Sequence, residues 1–334
     1  MSDKDIPKLT ELIPGIYVVP GVTNVGVITD TKKACDTNTQ HPVTDVYLVD
    51  SGRTAEQGAF VLEAVSRFFE ERHQEYKIKA IINTHAHADH TGANAFIQEK
   101  TNCQIYLSVY ERGILENPYL QGSILWGGFS PKELHNSLYM PAAVKNTKLI
   151  NFSKTVTICA PDRSKYKMNF LSLPGHYFGD TGILITRKNG KEQEKVLFAG
   201  DAISNRAELG KYWIQFMIQP DESAKTLEKI CAIKDLKYCV PSHGKIIRED
   251  LAETAELCTI AIYSTRQAIL NALKKQALST EQLIKEVARQ NNIDMGFGQY
   301  CLVSATIRSH LSALREKKQI KMRVIENQIL WECV

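Results

Sequence analysis

The stretch Thr84-His85-Ala86-His87-Ala88-Asp89-His90 decides the fold, because it places three imidazoles and one carboxylate within seven residues. It directly follows the apolar run 80–82, which predicts a β-strand. Neutral imidazole nitrogens and ionised carboxylates are ligands that suit Zn²⁺, Fe or Mn²⁺, and they are costly to gather closely unless a cation compensates them. The stretch therefore predicts a metal site, and the alternative is a polar loop with incidental histidines.

The spacing within this stretch predicts two groups of ligands. If extended backbone continues beyond the strand, His85 and His87 project to the same side and can share one ion. Asp89 and His90 come further along a turn that opens toward a predicted helix start at Gly92–Ile97, so they can reach a second ion.

Three more candidate ligands stand where predicted strands end. They are His176 after the run 170–173, Asp201 after the run 196–199, and His243 after the run 238–240. Loops at strand ends are where sites on layered α/β folds lie. Taken singly, each histidine would more often be a turn or packing residue, but together with the first stretch they predict one shared centre.

The order of these motifs, His-x-His-x-Asp-His, Gly-His, Gly-Asp and His-Gly over roughly residues 12 to 250, resembles the metallo-β-lactamase superfamily. The resemblance implies an α/β fold, a four-layer αββα sandwich. It also implies a ligand set: one metal on His85, His87 and His176, the other on Asp89, His90 and His243, and Asp201 bridging the two. It leaves the substrate open, since lactamases, thioesterases, lactonases, nucleases and an iron dioxygenase share the motif.

A pair of such ions predicts the chemistry. Two metals roughly 3.5 to 4 Å apart lower the pKa of a bridging water and polarise a carbonyl or phosphoryl oxygen. We expect two Zn²⁺ per chain, with Fe or Mn as alternatives, and Asp89 as the catalytic residue that orients hydroxide and passes a proton to the leaving group. Four neighbours of the ligands are predicted to orient them: Asn83, Thr84, Asp180 and Thr181. A local turn after Gly179 is the alternative for the last two.

Length and composition agree with an enzyme that has a sizeable core. The chain has 334 residues and 43% apolar content, enough for one domain of about 250 residues and a small second one. The N-terminus lacks a signal-peptide pattern, and no apolar run is long enough to span a membrane, so we expect a cytoplasmic protein without a membrane partner. The eight scattered cysteines indicate a reduced compartment; structural disulfides in an exported enzyme are the alternative.

The remaining pattern up to residue 250 is that of alternating strands and helices. Strands are predicted at Gly15–Pro20, Val25–Thr29 and Val46–Asp50, with an exposed loop at Thr31–Pro42. The stretch Ala55–His73 has apolar residues at a 3.6-residue period, which predicts a helix lying against a sheet.

The aromatic segment Ile114–Ala143 is too long for a simple connector, and a second segment, Leu209–Pro220, also carries aromatic residues. We expect them to form a wall of the substrate pocket or a homodimer contact. Packing over a sheet edge is the alternative.

The chain after residue 255 has the outline of a winged helix. The predicted elements are a helix at Leu251–Gln276, a helix starting at the capping box Ser279-Thr280-Glu281-Gln282, a helix at Val303–Lys318, and a hairpin of Ile320–Ile325 with Ile329–Cys333. We therefore predict a catalytic domain at 1–255 and a winged-helix-like domain at 256–334. This arrangement is similar to the β-lactamase-like protein 2 group, some of whose members cut single-stranded RNA.

The charge distribution along the chain is compatible with nucleic-acid binding but does not require it. Residues 260–334 hold 11 Lys/Arg and 6 Asp/Glu, a net of +5, whereas residues 1–259 have a net of −1. Six cations lie on or after the third helix: Arg308, Arg315, Lys317, Lys318, Lys321 and Arg323. The same module could instead close the pocket or mediate dimerisation.

Three functions follow from these patterns. The first is a hydrolase of a small-molecule ester, thioester or lactone, similar in its metal core to hydroxyacylglutathione hydrolase. The second is a single-strand-specific endoribonuclease. The third is an iron persulfide dioxygenase, which shares the Thr-His-x-His-Ala-Asp-His style of motif.

Overall fold

The computed structural model describes residues 8–31, 43–189 and 192–334. The loop predicted at Thr31–Pro42 lies outside these residues apart from its first. The chain forms two compact units. The first unit comprises Met1–Leu173, Gly179–Asp201 and Ile233–Leu251; the second comprises Pro174–Phe178, Ala202–Ala232 and Ala252–Val334. The predicted division at residue 255 stays a prediction.

The first sheet of the first unit has seven strands in chain order. They are β1 (Thr10–Ile13), β2 (Ile16–Val19), β3 (Val25–Asp30), β4 (Thr44–Val49), β5 (Tyr76–Ile82), β6 (Gln104–Leu107) and β7 (Lys148–Leu149). The strands predicted from residues 15, 25 and 46 are confirmed as β2, β3 and β4. Since β4 and β5 pair in parallel, the residues that follow them emerge at the same edge of the sheet.

The second sheet of the first unit has five strands in the order β12-β11-β10-β9-β8. Their bounds are β8 (Val156–Cys159), β9 (Lys165–Ser172), β10 (Thr181–Asn189), β11 (Glu192–Gly200) and β12 (Leu236–Pro241). The strands predicted before the three downstream ligands are confirmed as β9, β11 and β12. Because β11 and β12 are parallel, with Gly200 opposite Pro241, the loops that carry Asp201 and His243 start side by side.

Among its described residues, the first unit has five α-helices. They are α1 (Ala55–Glu70), α2 (Ala88–Thr91), α3 (Asn94–Thr101), α4 (Val109–Glu116) and α5 (Tyr119–Trp126). The predicted helix from residue 55 is confirmed; the Thr54 side chain caps it by accepting from the Gln57 N–H. Its apolar stripe, which includes Val61, Val65 and Phe69, is buried. The apolar residues spaced at the helical period therefore form the face that packs on the sheet.

Described residues form an apolar core on each face of the first sheet. Val27 and Leu48 pack with residues of α1 and α3, while Ile28 and Val49 pack with residues of the second sheet such as Phe198. Neighbouring strand residues point to opposite faces, so each strand of this sheet serves both cores. The resulting order of helices, sheet and sheet confirms the predicted α/β sandwich; the helices that follow the second sheet along the chain belong to the second unit.

The second unit contains helices and a small sheet. Its helices are α6 (Arg206–Lys211), α7 (Pro220–Cys231), α8 (Leu251–Leu273), α9 (Thr280–Gln290) and α10 (Phe297–Glu316), and its strands are β13 (Leu278–Ser279), β14 (Ile320–Ile325) and β15 (Gln328–Cys333). The capping box at Ser279 and the β14–β15 hairpin are confirmed. Helix α10 begins earlier than predicted because extended Gly296 provides its N-cap. The winged-helix assignment stays a prediction.

The two aromatic segments are partly buried and partly exposed. In the first, Leu125 and Leu134 are buried, while Tyr119, Trp126 and Phe129 are exposed and line a shallow cavity of about 440 Å³. In the second segment Ile214 and Met217 are buried, and Tyr212 is exposed. Their roles as pocket wall or dimer contact stay predictions. None of the described helices is both long and apolar enough to cross a membrane.

Candidate metal centre

The residues of Thr84–His90 form a loop and one helical turn at the edge where β4 and β5 end. Strand β5 ends at Ile82 and α2 starts at Ala88. His85 and His87 therefore meet through the loop conformation rather than through strand alternation, and the helix starts earlier than the expected Gly92. His85 Nε2 lies 2.9 Å from His87 Nδ1, so two imidazole nitrogens face one another where two ligands of one ion would stand.

A second group of ligand atoms forms beside the first. Asp89, His90 and His243 each offer one atom, and these atoms lie within 4.8 Å of one another. The Oδ2 atom of Asp89 is 3.2 Å from His243 Nε2 and 3.6 Å from His90 Nε2. This group is the one the sequence assigned to the second ion.

Asp201 lies between the two groups. Its Oδ2 atom is 3.4 Å from His90 Nε2 and 3.5 Å from His243 Nε2. It also forms a candidate ligand group with His85 and His90. The first unit thus brings together six of the seven predicted ligands: His85, His87, Asp89, His90, Asp201 and His243.

The Nδ1 atoms of His90 and His243 each face an oxygen atom. His90 Nδ1 lies 3.0 Å from Asp50 Oδ2 and His243 Nδ1 lies 2.8 Å from the Val22 carbonyl oxygen. These oxygens can only accept, so each Nδ1 carries the hydrogen and, in the neutral ring, Nε2 keeps its lone pair for a cation.

His85 is oriented through a relay of two hydrogen bonds. The Thr84 hydroxyl donates to Asp50 Oδ2 at 2.8 Å, and its oxygen lies 3.1 Å from His85 Nδ1. Since the hydroxyl hydrogen is already used, this oxygen accepts from His85 Nδ1, which leaves Nε2 available for a cation. The prediction that Thr84 orients a ligand agrees with this contact.

Asp50 is the residue that sequence reasoning missed. It is buried, accepts from the Thr84 N–H at 2.8 Å, and faces both Thr84 Oγ1 and His90 Nδ1. The sequence held a signal: Asp50 is an acid at the end of an apolar strand that runs parallel to β5, so it emerges beside the ligand loop. Asn83 extends the same network, because its side chain bonds to Asp50 and Asn94.

Asp180 and Thr181 are predicted either to orient the ligands or to form a local turn after Gly179, and the two residues differ in this respect. Asp180 Oδ1 lies 4.0 Å from His85 Nδ1, so it faces a ligand. The Thr181 hydroxyl bonds to the Gly179 carbonyl oxygen at 3.1 Å, which is the local turn contact that the alternative predicted.

His176 belongs to the second unit. Its Nδ1 lies 2.9 Å from the Phe216 carbonyl oxygen, so it too keeps Nε2 for a cation. The preceding Gly175 has φ +147°, and a Cβ there would lie 2.5 Å from Ser223 Cα; glycine is needed at this close approach. That His176 shares an ion with His85 and His87 stays a prediction.

The imidazoles and carboxylates of the cluster shift one another's pKa values. Burial disfavours the imidazolium forms, but the carboxylates of Asp201 and Asp89 outweigh it, raising the pKa of His243 to about 12 and holding that of His90 well above its usual value. Burial likewise opposes ionisation of Asp89 and Asp201, yet the neighbouring imidazolium groups lower the pKa of both carboxyls. The cluster thus retains positive charge between its carboxylates, as protons or as a cation.

The donor set fits bound zinc. Imidazole nitrogens and carboxylate oxygens are its usual ligands besides thiolates, and the Nε2 atoms of His85, His90 and His243 are left free of hydrogen by their Nδ1 partners. A divalent cation can take the place of the protons on His90 and His243, so binding releases protons.

Comparison with known proteins agrees with this site. The sequence model of the metallo-β-lactamase superfamily matches residues 40–139. The "Probable metallo-hydrolase YflN" of Bacillus subtilis (strain 168) is 26% identical over 227 residues, covering 62% of this chain and 80% of the relative. A "Probable metallo-hydrolase" of Methanocaldococcus jannaschii is 28% identical over 174 residues, covering 51% of this chain and 71% of the relative.

Solved structures show the same fold over nearly the whole chain. A β-lactamase domain protein from Burkholderia ambifaria superposes with a TM-score of 0.69 at 13% identity, covering 99% of this chain and 98% of that one. A metallo-β-lactamase family protein from Thermus thermophilus gives a TM-score of 0.68 at 16% identity, covering 97% and 100%. The motif order, the sandwich and the histidine–aspartate cluster agree with the match of residues 40–139 to the metallo-β-lactamase superfamily.

Proposed function

We propose that the protein is a metal-dependent hydrolase of a small-molecule ester, thioester or lactone. The single observation that carries the proposal is the group formed by buried His90 with the partly buried Asp89, His243 and Asp201, whose imidazoles are oriented through Nδ1 and whose carboxylates require positive charge. The names of the two metallo-hydrolase relatives support the same reaction class.

Seven residues would hold the metals: His85, His87 and His176 for one ion, Asp89, His90 and His243 for the other, and Asp201 between them. Asp201 forms a candidate ligand group with His85, which is assigned to the first ion, and with His90, which is assigned to the second, and this supports the bridging role. When bound, a pair of zinc ions lowers the pKa of water and polarises the carbonyl oxygen under attack.

Asp89 is the residue we propose for proton transfer. Its side chain is 23% exposed, more than that of Asp201 at 15%, so it can exchange a proton with substrate or solvent. The Thr23 hydroxyl donates to the Asp89 carbonyl oxygen at 2.8 Å, which fixes the backbone from which the carboxylate extends. Asp89 can therefore accept a proton and deliver it to the leaving oxygen or sulfur.

The nuclease alternative has less support within the second unit. Of the six cations after the start of α10, three are paired with carboxylates: Arg308 with Glu281, Lys317 with Asp221, and Arg323 with Glu332. Paired cations offer less charge to phosphates. The winged helix, a homodimer and the cytoplasmic location remain proposals.

A substrate panel tests the proposal. Protein of measured metal content is assayed on thioesters, lactones, phosphodiesters and single-stranded RNA. We expect turnover of a thioester or lactone that is lost with a chelator and restored by zinc. Cleavage of RNA alone would favour the nuclease, and activity only with iron, on a persulfide and oxygen, would favour the dioxygenase.

A further inference from the structure

Glu111 is a buried acidic side chain that the proposed chemistry does not use. It lies in the first turn of α4 and has no exposed surface. Its two oxygens accept from two backbone N–H groups: Oε2 from Ala86 at 3.0 Å and Oε1 from Gly179 at 2.8 Å. Glutamate is almost never fully buried without partners of this kind.

The two N–H groups belong to the two loops that meet at His85. Ala86 lies between His85 and His87, and Gly179 immediately precedes Asp180, whose Oδ1 is 4.0 Å from His85 Nδ1. One carboxylate thus links both segments of backbone. Any shift of the Glu111 carboxylate would move the loop that sets the 2.9 Å approach of the His85 and His87 nitrogens.

The local sequence around Glu111 predicts a different role. Ser108-Val109-Tyr110-Glu111 has the spacing of a capping box, in which the serine and glutamate side chains cap the helix. Although α4 is fully described, its N-cap Ser108 makes no side-chain capping bond. Both side chains face Gly179 instead, where a Cβ would lie 2.0 Å from Ser108 Oγ and 2.7 Å from Glu111 Oε1.

The burial of this carboxylate has an energetic cost. Burial raises the pKa of Glu111 to about 7, although the N–H groups of Ala86 and Gly179 act to lower it. A neutral residue would avoid this desolvation. The cost indicates that two acceptor oxygens are needed at this point.

We propose that Glu111 is a positioning residue of the metal centre, which fixes the spacing of His85 and His87 by holding the Ala86 N–H and Gly179 N–H. The inference rests on the proposed function, because it assigns a role toward the same ions. It does not require that the substrate be known.

Zinc affinity and the visible spectrum of the Co²⁺-loaded protein test the inference. Zinc affinity is measured by competition with a chromophoric chelator on wild type, Glu111→Gln and the control Glu116→Gln. Glutamine has nearly the same size but one acceptor oxygen, so one N–H loses its partner. We expect zinc affinity to fall roughly 10- to 100-fold in Glu111→Gln and the Co²⁺ spectrum to change.

The control Glu116 lies on the same helix but bonds to Arg112 and Thr147, away from the ligand loop. We expect Glu116→Gln to keep wild-type zinc affinity and spectrum. A merely structural role for Glu111 would lower the melting temperature of the metal-free protein while leaving both metal readouts unchanged, and that result would overturn the inference.

The outcomes separate this inference from the proposed function. A wild-type protein that takes up no zinc would overturn both. A wild type that binds zinc, together with a folded Glu111→Gln of equal affinity, would overturn the positioning role alone. If Glu111→Gln does not fold, Glu111→Asp replaces it; its shorter side chain cannot reach both N–H groups, so we expect the same loss, and unchanged affinity would count against the role.

Discussion

In the first unit the buried imidazole of His90 lies between two carboxylates, with Nδ1 3.0 Å from Asp50 Oδ2 and Nε2 3.4 Å from Asp201 Oδ2. In the second unit the cations Arg308 and Arg323 lie at the surface, each against one carboxylate. Exposed pairs of this kind contribute roughly 0 to 1 kcal/mol. A cluster of buried charges requires a compensating ion, whereas a neutralised surface pair does not. The cluster of the first unit therefore indicates a function, and the surface pairs of the second unit do not.

The largest effect is expected from Asp201→Asn. The amide removes the negative charge that lies between the two ligand groups, so occupancy at both sites should fall and turnover should drop by about 10³-fold or more. Metal content per chain and kcat/KM on the active substrate measure it. Asp162→Asn, a change at an exposed partner of Arg187, should leave both near wild type; full metal content with retained activity in Asp201→Asn would break the two-ion interpretation.

A smaller loss is expected from Asp50→Asn. One oxygen of Asp50 faces both Thr84 Oγ1 and His90 Nδ1, and the other accepts from the Thr84 N–H. An amide cannot accept at all three contacts. Zinc affinity should fall about 10- to 100-fold, as measured by chelator competition. Asp45→Asn on the same strand, where the side chain pairs with Lys79 at the surface, is the matched control, and equal effects in the two variants would refute the role of Asp50.

The buried cluster should also make the stability of the metal-free protein depend on pH. The folded pKa of His243 is raised to about 12 and that of Glu111 to about 7. A raised folded pKa gives stability that is complete below the unfolded value and lost as pH rises toward the folded one. With ordinary pKa values of 4.5 for Glu111 and 6.5 for His243, the contribution of Glu111 is lost between about pH 4.5 and 7 and that of His243 from pH 6.5 upward. Between pH 6.5 and 9 the chelator-treated protein should lose roughly 1 to 3 kcal/mol, mainly through His243.

Urea unfolding of the chelated and zinc-loaded proteins measures this loss. The lowered pKa values of Asp89 and Asp201 keep these groups ionised throughout the window, so they do not offset it. In the zinc-loaded protein the trend should weaken or reverse, because protons no longer occupy His90 and His243. A midpoint for the metal-free protein that rises over the same range would contradict the electrostatic description.

The smallest effect is expected at the surface of the second unit. Changing Lys317, Lys318, Lys321 and Arg323 together to Ala removes two exposed ion pairs, those to Asp221 and Glu332. Hydrolysis of a thioester or lactone should stay within about twofold of wild type, since such pairs contribute little. A steep salt dependence of RNA binding in wild type that flattens in this variant would show that the charges of the second unit also serve a function.

Particular residues show how far the sequence could be interpreted. The helix at Ala55–Glu70 and the ligand-bearing ends of β9, β11 and β12 follow from local patterns, because apolar period and strand-end position are recorded in adjacent residues. The predicted start of helix α10 is too late, because Gly296 at its N-cap has no capping side chain to mark the first turn. The pattern at Ser108 and Glu111 favours a helix cap, but packing of Gly179 against both side chains outweighs it.

By itself the sequence determined which residues are candidate ligands of a cation. Seven imidazole and carboxylate side chains stand in one short motif and at three strand ends, and such groups are unfavourable together without an ion. Only the tertiary structure decided how those atoms are held. Asp50 reaches Thr84 and His90 because β4 and β5 pair in parallel, and Glu111 reaches Ala86 and Gly179 because two distant loops pack on α4. Such contacts depend on which segments lie side by side after folding, and the spacing of residues along the chain does not predict that proximity.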